Sequence, residues 1–230
     1  MRIYAIADLH LSGNPPAKPM EVFGTNWLNH WSKIKTAWLE QVCIDDIVLL
    51  AGDISWAMKL NEALTDLNTI IRLPGKKILI RGNHDYWWQT VSKMTKAVAG
   101  QLSFLNNSFE PAGEWAICGS RGWTCPEDPL FCDTDLPIFQ RELLRVESSL
   151  TQATKAGYGN IILMLHYPPF YGNKAKGGFT SLIEKYGVKK CVFGHLHGEA
   201  VSTAATGIIN GVDYCLVSCD ALNFGIQRVI

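Results

Sequence analysis

The stretch ILIRGNHDYWW, residues 78–88, carries a short apolar run through Arg81 into a glycine and then presents asparagine, histidine and aspartate in succession. A tight turn needs only Gly82, and Asn83 is itself a common turn residue. His84 and Asp85 are left without a structural reason. The pattern recurs along the chain. Apolar runs at 2–7 (RIYAIA), 46–51 (DIVLLA), 76–81 (KKILIR), 160–165 (NIILML) and 189–193 (KKCVF) end, in turn, in Asp8-Leu9-His10, Gly52-Asp53, Gly82-Asn83-His84-Asp85, His166, and Gly194-His195-Leu196-His197. None of these runs alternates apolar with polar residues, so each reads as a strand covered on both faces.

Helical patterns lie between the strands. Trp27, Trp31, Ile34 and Trp38 recur at i, i+4, i+7 and i+11, as do Leu60, Leu64, Leu67 and Ile71, and Phe139, Leu143, Val146 and Leu150. Ser181-x-x-Glu184 reads as a capping box that opens a further short helix. Strand–helix alternation implies parallel β-α-β units. The tail differs: Asn210-Gly211 between apolar runs signals a tight hairpin, and residues 102–118 hold two further short strand candidates. The expected fold class is α/β, a single domain over residues 1–230 with two sheets packed face to face and helices outside. Long loops at 11–26, 119–137 and 167–179 are candidates for functional segments.

Composition narrows the class. A chain of 230 residues, 47% hydrophobic and 18% charged, can bury a sizeable core. Its formal net charge of zero supplies no global field toward nucleic acid or an anionic membrane. The sequence opens directly into a strand, and the apolar run 161–165 is far too short to span a bilayer, so a cytoplasmic location without membrane association is expected. Seven cysteines without a C-x-x-C pair are read as free thiols.

In a parallel α/β sheet the carboxyl ends of the strands share one edge, which brings the five strand-end motifs together. Asp8 with His10, and His195 with His197, are each spaced two apart and can act as chelating pairs. Aspartates, an amide and imidazoles form an oxygen and nitrogen donor set suited to Mn, Fe, Zn or Ni, with Mn or Fe favoured. Seven candidate ligands exceed one tetrahedral zinc, whereas two divalent ions bridged by a carboxylate accommodate them.

Taken in order, D-x-H, G-D, G-N-H-D, H and G-H-x-H over residues 8–197 resemble the calcineurin-like metallophosphoesterase superfamily. The resemblance implies a four-layer α/β-β/α sandwich and a binuclear metal centre. Asp8, His10 and His197 would hold one ion, Asn83, His166 and His195 the other, and Asp53 would bridge them. His84 would stay outside the coordination shell and protonate the leaving group, while the ions polarise the phosphoryl oxygens and lower the pKa of a water for in-line attack at phosphorus. The chain departs from the superfamily's Ser/Thr protein phosphatases, which carry arginine shortly after G-D and end the third motif in Glu. It departs from the member that cleaves a lipid A precursor, which has arginine where His84 stands. A scaffold that keeps the fold without the chemistry is the alternative, disfavoured because every ligand position and His84 are kept. A nuclease of the superfamily is the other, disfavoured by neutral charge. A small phosphoester is the expected partner, with phosphodiester and phosphomonoester both open and no protein partner evident.

Around the motifs, Trp56, Trp87, Trp88 and Trp123 are candidates for an aromatic wall, against the simpler role of packing helices. Arg121, Lys174 and Lys176 lie in long loops and are candidate substrate-phosphate contacts. Asp85 is expected either to orient His84 or to cap the next helix.

Overall fold

The computed structural model describes residues 1–172 and 177–230. One mixed sheet consists of β1 (Ile3–Ile6), β2 (Ile47–Leu50), β3 (Lys76–Leu79), β4 (Ser103–Phe104) and β11 (Gln227–Arg228), in the order β11-β1-β2-β3-β4. The other consists of β5 (Phe109–Ala112), β6 (Trp115–Gly119), β7 (Asn160–Met164), β8 (Lys190–Phe193), β9 (Gly207–Ile209) and β10 (Val212–Leu216), in the order β5-β6-β7-β8-β10-β9. The first four strands of the chain run parallel, as do β6, β7, β8 and β10; the antiparallel members are β5, β9 and β11 at the sheet edges.

Strand pleating sends alternate residues to opposite faces, which explains why these strands are apolar throughout. Ile3, Ala5, Ile47, Leu49, Ile78 and Ile80 meet Ile117, Ile162, Met164 and Val192 in a core between the two sheets. Their neighbours Tyr4, Ile6, Val48, Leu50 and Leu79 face outward onto α1 (His30–Gln41), α2 (Leu60–Ile71) and α3 (Val91–Ala97). On the other side, Ala116, Cys118, Ile161, Leu163 and Cys191 face α4 (Leu136–Lys155) and α5 (Gly178–Lys185). Three apolar cores therefore separate four layers, as expected of an α/β-β/α sandwich. Truncating a fully buried member of the middle core, such as Ile162, costs about 2–5 kcal/mol.

Several local expectations are corrected. Ser181 lies inside α5, whose N-cap is Gly177, and no side-chain cap forms there. Trp27 precedes α1 in a separate 3₁₀ turn, Thr25–Trp27. The Asn210-Gly211 turn does join an antiparallel hairpin, with positive φ of 50° and 79°, but β10 continues the second sheet parallel to β8. In the 102–118 region β4 joins the first sheet parallel to β3, while β5 and β6 pair antiparallel in the second. No helix among the described residues is long and apolar enough to cross a membrane, and all seven cysteines are free.

Candidate metal centre

The five motifs leave two different sheets. Asp8, Asp53 and the 82–85 loop follow β1, β2 and β3, whereas His166 and His195 follow β7 and β8. The two sheets are stacked so that these carboxyl ends lie side by side, and the loops interlock. Asp8 N–H donates to the Gly52 carbonyl at 2.9 Å, His10 N–H to the Asp53 carbonyl at 3.0 Å, and Gly194 N–H to the His166 carbonyl at 3.1 Å. Asp8, His10, Asp53 and His195 all adopt positive φ, at 62°, 46°, 51° and 74°. Such left-handed backbone is uncommon outside glycine, and its concentration in one cluster marks a place where side-chain position outweighs local preference.

The motif glycines serve close packing between loops. A Cβ on Gly82 would overlap Asp53, one on Gly194 would fall 2.5 Å from Asp8 Oδ2, and one on Gly52 would fall 2.6 Å from His166 Nδ1. Each glycine thus admits a candidate ligand from another strand. Only Gly52 of these three also needs positive φ, at 94°.

Each carboxylate is anchored through one oxygen and offers the other inward. Asp8 Oδ2 accepts His195 N–H at 3.0 Å, and Asp8 Oδ1 is buried with no hydrogen-bond partner. Asp53 Oδ1 accepts His84 N–H at 2.8 Å, and its Oδ2 faces His166 Nε2 at 3.5 Å and His10 Nε2 at 3.9 Å. His166 Nδ1 donates to the Ala51 carbonyl at 3.0 Å, which leaves the Nε2 lone pair pointing inward at Asn83 Oδ1, 2.6 Å away, and at His195 Nδ1, 3.3 Å away. Asn83 Oδ1 also lies 2.9 Å from His195 Nδ1. His197 Nδ1 donates to Asp220 Oδ1 at 2.8 Å and presents Nε2 to Asp8 Oδ1 at 3.4 Å.

The predicted ligand positions therefore fall into two sets. Donor atoms of Asp8, His10 and His197 lie within 4.8 Å of one another. Asn83, His166 and His195 converge at 2.6–3.3 Å. Asp53 lies between the sets, and donor atoms of Asp8, Asp53 and His166 also lie within 4.8 Å of one another. Burial and the charge of Asp8 raise the Asp53 carboxyl to about 8. Burial lowers His10 and His195 to about 3 and also lowers His166, so these rings are neutral and basic toward a cation. Burial opposes protonation of His197, but its hydrogen bond to Asp220 and the negative charges of Asp8 and Asp220 raise it to about 10. Carboxylate oxygens of Asp8 and Asp53, the Asn83 amide oxygen and imidazole nitrogens converge on one space, and Asp8 Oδ1 is buried there without a hydrogen-bond partner. The donor set fits divalent metal.

Two residues of this environment escaped the sequence reading. Asp220 fixes the His197 ring and also accepts Gly198 N–H at 3.0 Å; it follows β10 in a Ser-Cys-Asp string with no histidine or glycine beside it to mark it. Trp27 packs its edge on His197 at 5.7 Å and lies 6.2 Å from His10; in sequence it looked like one more position of a helical stripe.

The other expectations divide. His84 sits 5.8 Å from His10 and 4.3 Å from the Trp56 ring, its pKa lowered by burial, and its Nδ1 has no hydrogen-bond partner. Asp85 neither orients His84 nor caps a helix. Its Oδ1 accepts Ile54 N–H, Ser55 N–H and the Trp87 indole at 2.9, 3.2 and 2.9 Å, and its Oδ2 accepts Gly82 N–H at 2.8 Å. It pins the loop after β2 to the loop after β3. Trp56 stacks on His10 at 4.9 Å, whereas Trp87 is fully buried and Trp88 packs on Phe104. Trp123 packs on Tyr167 and donates to Asp135 at 2.9 Å. Arg121 stacks over Trp123 at 4.3 Å and lies 3.9 Å from buried Glu142, close enough to Asp53 to favour its charged form. Lys174 and Lys176 lie outside the described residues.

Comparison with known proteins bears on the family and the fold. The family model described as calcineurin-like phosphoesterase matches residues 1–199. Among solved structures, a protein of unknown function, AQ665 from Aquifex aeolicus, is similar at 15% identity, covering 99% of this chain and 95% of its own, with a TM-score of 0.52. The calcineurin-like phosphoesterase YfkN from Bacillus subtilis is similar at 13% identity, covering 94% of this chain and 80% of its own, with a TM-score of 0.51. At these identities the two structures speak to the fold alone. No curated protein matches.

Proposed function

The chain belongs to the calcineurin-like phosphoesterase family, and from that premise we propose that it hydrolyses a small phosphoester with a binuclear metal centre. The supporting observation is the inward-facing acceptor cluster: Asp8 Oδ1 without a partner, Asp53 Oδ2 between two ligand sets, and the His166 Nε2 lone pair against Asn83 Oδ1. In this reading Asp8, His10 and His197 would hold one divalent ion, Asn83, His166 and His195 would hold the other, and Asp53 would serve both. Mn or Fe is favoured and Zn or Ni fits the same donors. When bound, such a pair supplies Lewis acidity toward the phosphoryl oxygens and a nucleophilic water near neutral pH.

The chain's own residues do the rest. Ala51 and Asp220 hold His166 and His197 in the tautomers that turn Nε2 inward. His84 lines the cavity beside the first set and is not among the convergent donors. It gives its proton to the departing oxygen as the bond from that oxygen to phosphorus breaks and the bonding electron pair leaves with the oxygen. The oxygen of water, having formed its own bond to phosphorus and released a proton to solvent, stays with the product phosphate. Trp56 packs on both His84 and His10 and so fixes the general acid relative to the first ligand set. Arg121 adds positive charge near Asp53 for the phosphoryl group.

Purified protein loaded in turn with Mn, Fe, Zn, Ni and Mg, and assayed on matched phosphodiesters, phosphomonoesters and nucleotides, tests the proposal. Metal-dependent turnover on at least one ester class is expected. Metal content of two per chain without turnover on any ester would instead favour a binding scaffold.

A further inference from the structure

Beside the first ligand set, and bounded there by His10, His84 and His197, lies a cavity of about 370 Å³. That size is within the range, roughly 300–1,000 Å³, of pockets that enclose a small organic ligand. Its remaining walls come from a part of the chain with no role in the ligand sets. Trp27, Phe23 and Met20, all from the segment before α1, close one side, and Trp56 closes the other. Trp27 and Trp56 both pack on His10, at 6.2 and 4.9 Å, so the two indoles flank the same end of the centre. Phe23 is 65% exposed at this cavity, an apolar ring left without cover in the protein alone.

The charge of the cavity is as informative as its rings. Among the described residues neither lysine nor arginine lines it, and the carboxylate that does is Asp220, already engaged by His197 and Gly198. Lys18 sits against the Trp56 ring at 4.5 Å but lines a different cavity. Among the described residues, a leaving group with a second phosphate would meet no lysine or arginine side chain lining this cavity and would approach the Asp220 carboxylate. An uncharged ring would meet three aromatic walls, with the Asn26 side of the cavity as a polar edge.

Resting on the hydrolase reading, we infer that this cavity receives the leaving alcohol of the substrate, and that this alcohol is uncharged and ring-bearing, a nucleoside or an aryl alcohol rather than a phosphorylated, cationic or small aliphatic one. His84 is the link, because the group that protonates the leaving oxygen lines this cavity. A flat ring held against Trp27 and Phe23 places that oxygen near the imidazole, so binding energy remote from phosphorus positions the reacting atoms.

Two measurements test it. Methyl phosphodiesters that differ only in the second alcohol (a nucleoside 5′-hydroxyl, benzyl alcohol, methanol, choline, or a nucleoside bearing a 3′-phosphate) are hydrolysed by the metal-loaded protein. The nucleoside or benzyl ester is expected to exceed the methanol, choline and phosphorylated ones in kcat/KM by roughly tenfold or more, as ring stacking typically supplies. Trp27→Ala and Phe23→Ala are expected to shrink that ratio toward one. Separately, adenosine or benzyl alcohol alone is titrated into the protein without added metal and followed by tryptophan fluorescence. Saturable quenching that is weakened in Phe23→Ala supports the cavity independently of turnover; the arm that binds more tightly identifies nucleoside or aryl. Equal rates across the alcohols, or preference for choline or the phosphorylated alcohol, would overturn the inference. Absence of hydrolysis on every ester together with saturable binding would overturn the hydrolase reading and leave the cavity; hydrolysis without preference and without binding would do the reverse.

Discussion

Asp220 Oδ1 lies 2.8 Å from His197 Nδ1, so a carboxylate that follows β10 sets the orientation of an imidazole that follows β8. The ring nitrogen nearest Asp8 is thereby Nε2, at 3.4 Å. Asp220→Asn keeps the shape but weakens this hold on the tautomer. The expected outcome is metal affinity lowered about 10- to 100-fold with the fold retained, the usual effect of losing such an outer partner. Calorimetric titration with Mn, alongside circular dichroism, measures both; unchanged affinity would show that His197 does not ligate through the nitrogen assigned to it.

Asp53 faces both ligand sets through Oδ2, at 3.9 Å from His10 and 3.5 Å from His166. Asp53→Ala is expected to lose more metal and more turnover than His10→Ala or His195→Ala. Metal content by elemental analysis decides the order. A variant that retained two ions and full activity would remove Asp53 from the bridge.

His84 lines the cavity without belonging to either converging set. His84→Ala should keep its metal and lose turnover by roughly a hundred- to ten-thousand-fold on esters with poor leaving groups. On nitrophenyl esters, whose leaving group departs unaided, the loss should be much smaller. A uniform loss across the series would assign His84 to stabilising charge on phosphorus, and loss of metal would move it into the coordination sphere.

Asp85 accepts four N–H donors from two loops while fully buried. Burial and the neighbouring Asp53 raise its carboxyl to about 6, but those four donors favour the carboxylate. Asp85→Ala strands all four donors in the interior, and a loss of at least about 3 kcal/mol is expected. Asp85→Asn, which can still accept but brings two donors of its own, should recover only part. Urea unfolding of the three proteins gives the comparison.

Near the opposite end of β1, Asp46 accepts Arg2 N–H at 2.7 Å and Cys43 N–H at 2.9 Å, and pairs with the Arg2 guanidinium at 3.2 Å. Burial works to raise its carboxyl, but these partners together lower it below the model-peptide value of 3.8. The folded state therefore binds this proton less tightly than the unfolded state. The resulting stabilisation is complete above the unfolded pKa and is lost as pH falls through the folded one. Thermal unfolding between pH 7 and 2.5 should show a smaller acid-side decline in Asp46→Asn than in the parent; parallel declines would indicate that Asp46 does not contribute.

The sequence by itself determined the five strands that carry the motifs, most of the helices and the residue types of the site, because each depends on near neighbours. Continuous apolar runs such as 47–50 and 161–164 require cover on both faces, and a strand's end is where its side chains become free for chemistry. Motif order then carried a resemblance that assigned ligands to positions. Only the tertiary structure decided how those positions meet. Three motifs leave one sheet and two leave the other, a division that no local pattern encodes, since a strand's own sequence does not state which sheet it joins. The role of Asp85 as a pin between loops, the hold of Asp220 on His197, and the sorting of Trp27 and Trp56 to the cavity while Trp87 went to the core share one physical cause. Each depends on contacts between segments distant in sequence, and an aspartate or tryptophan read alone is equally compatible with surface, core and site.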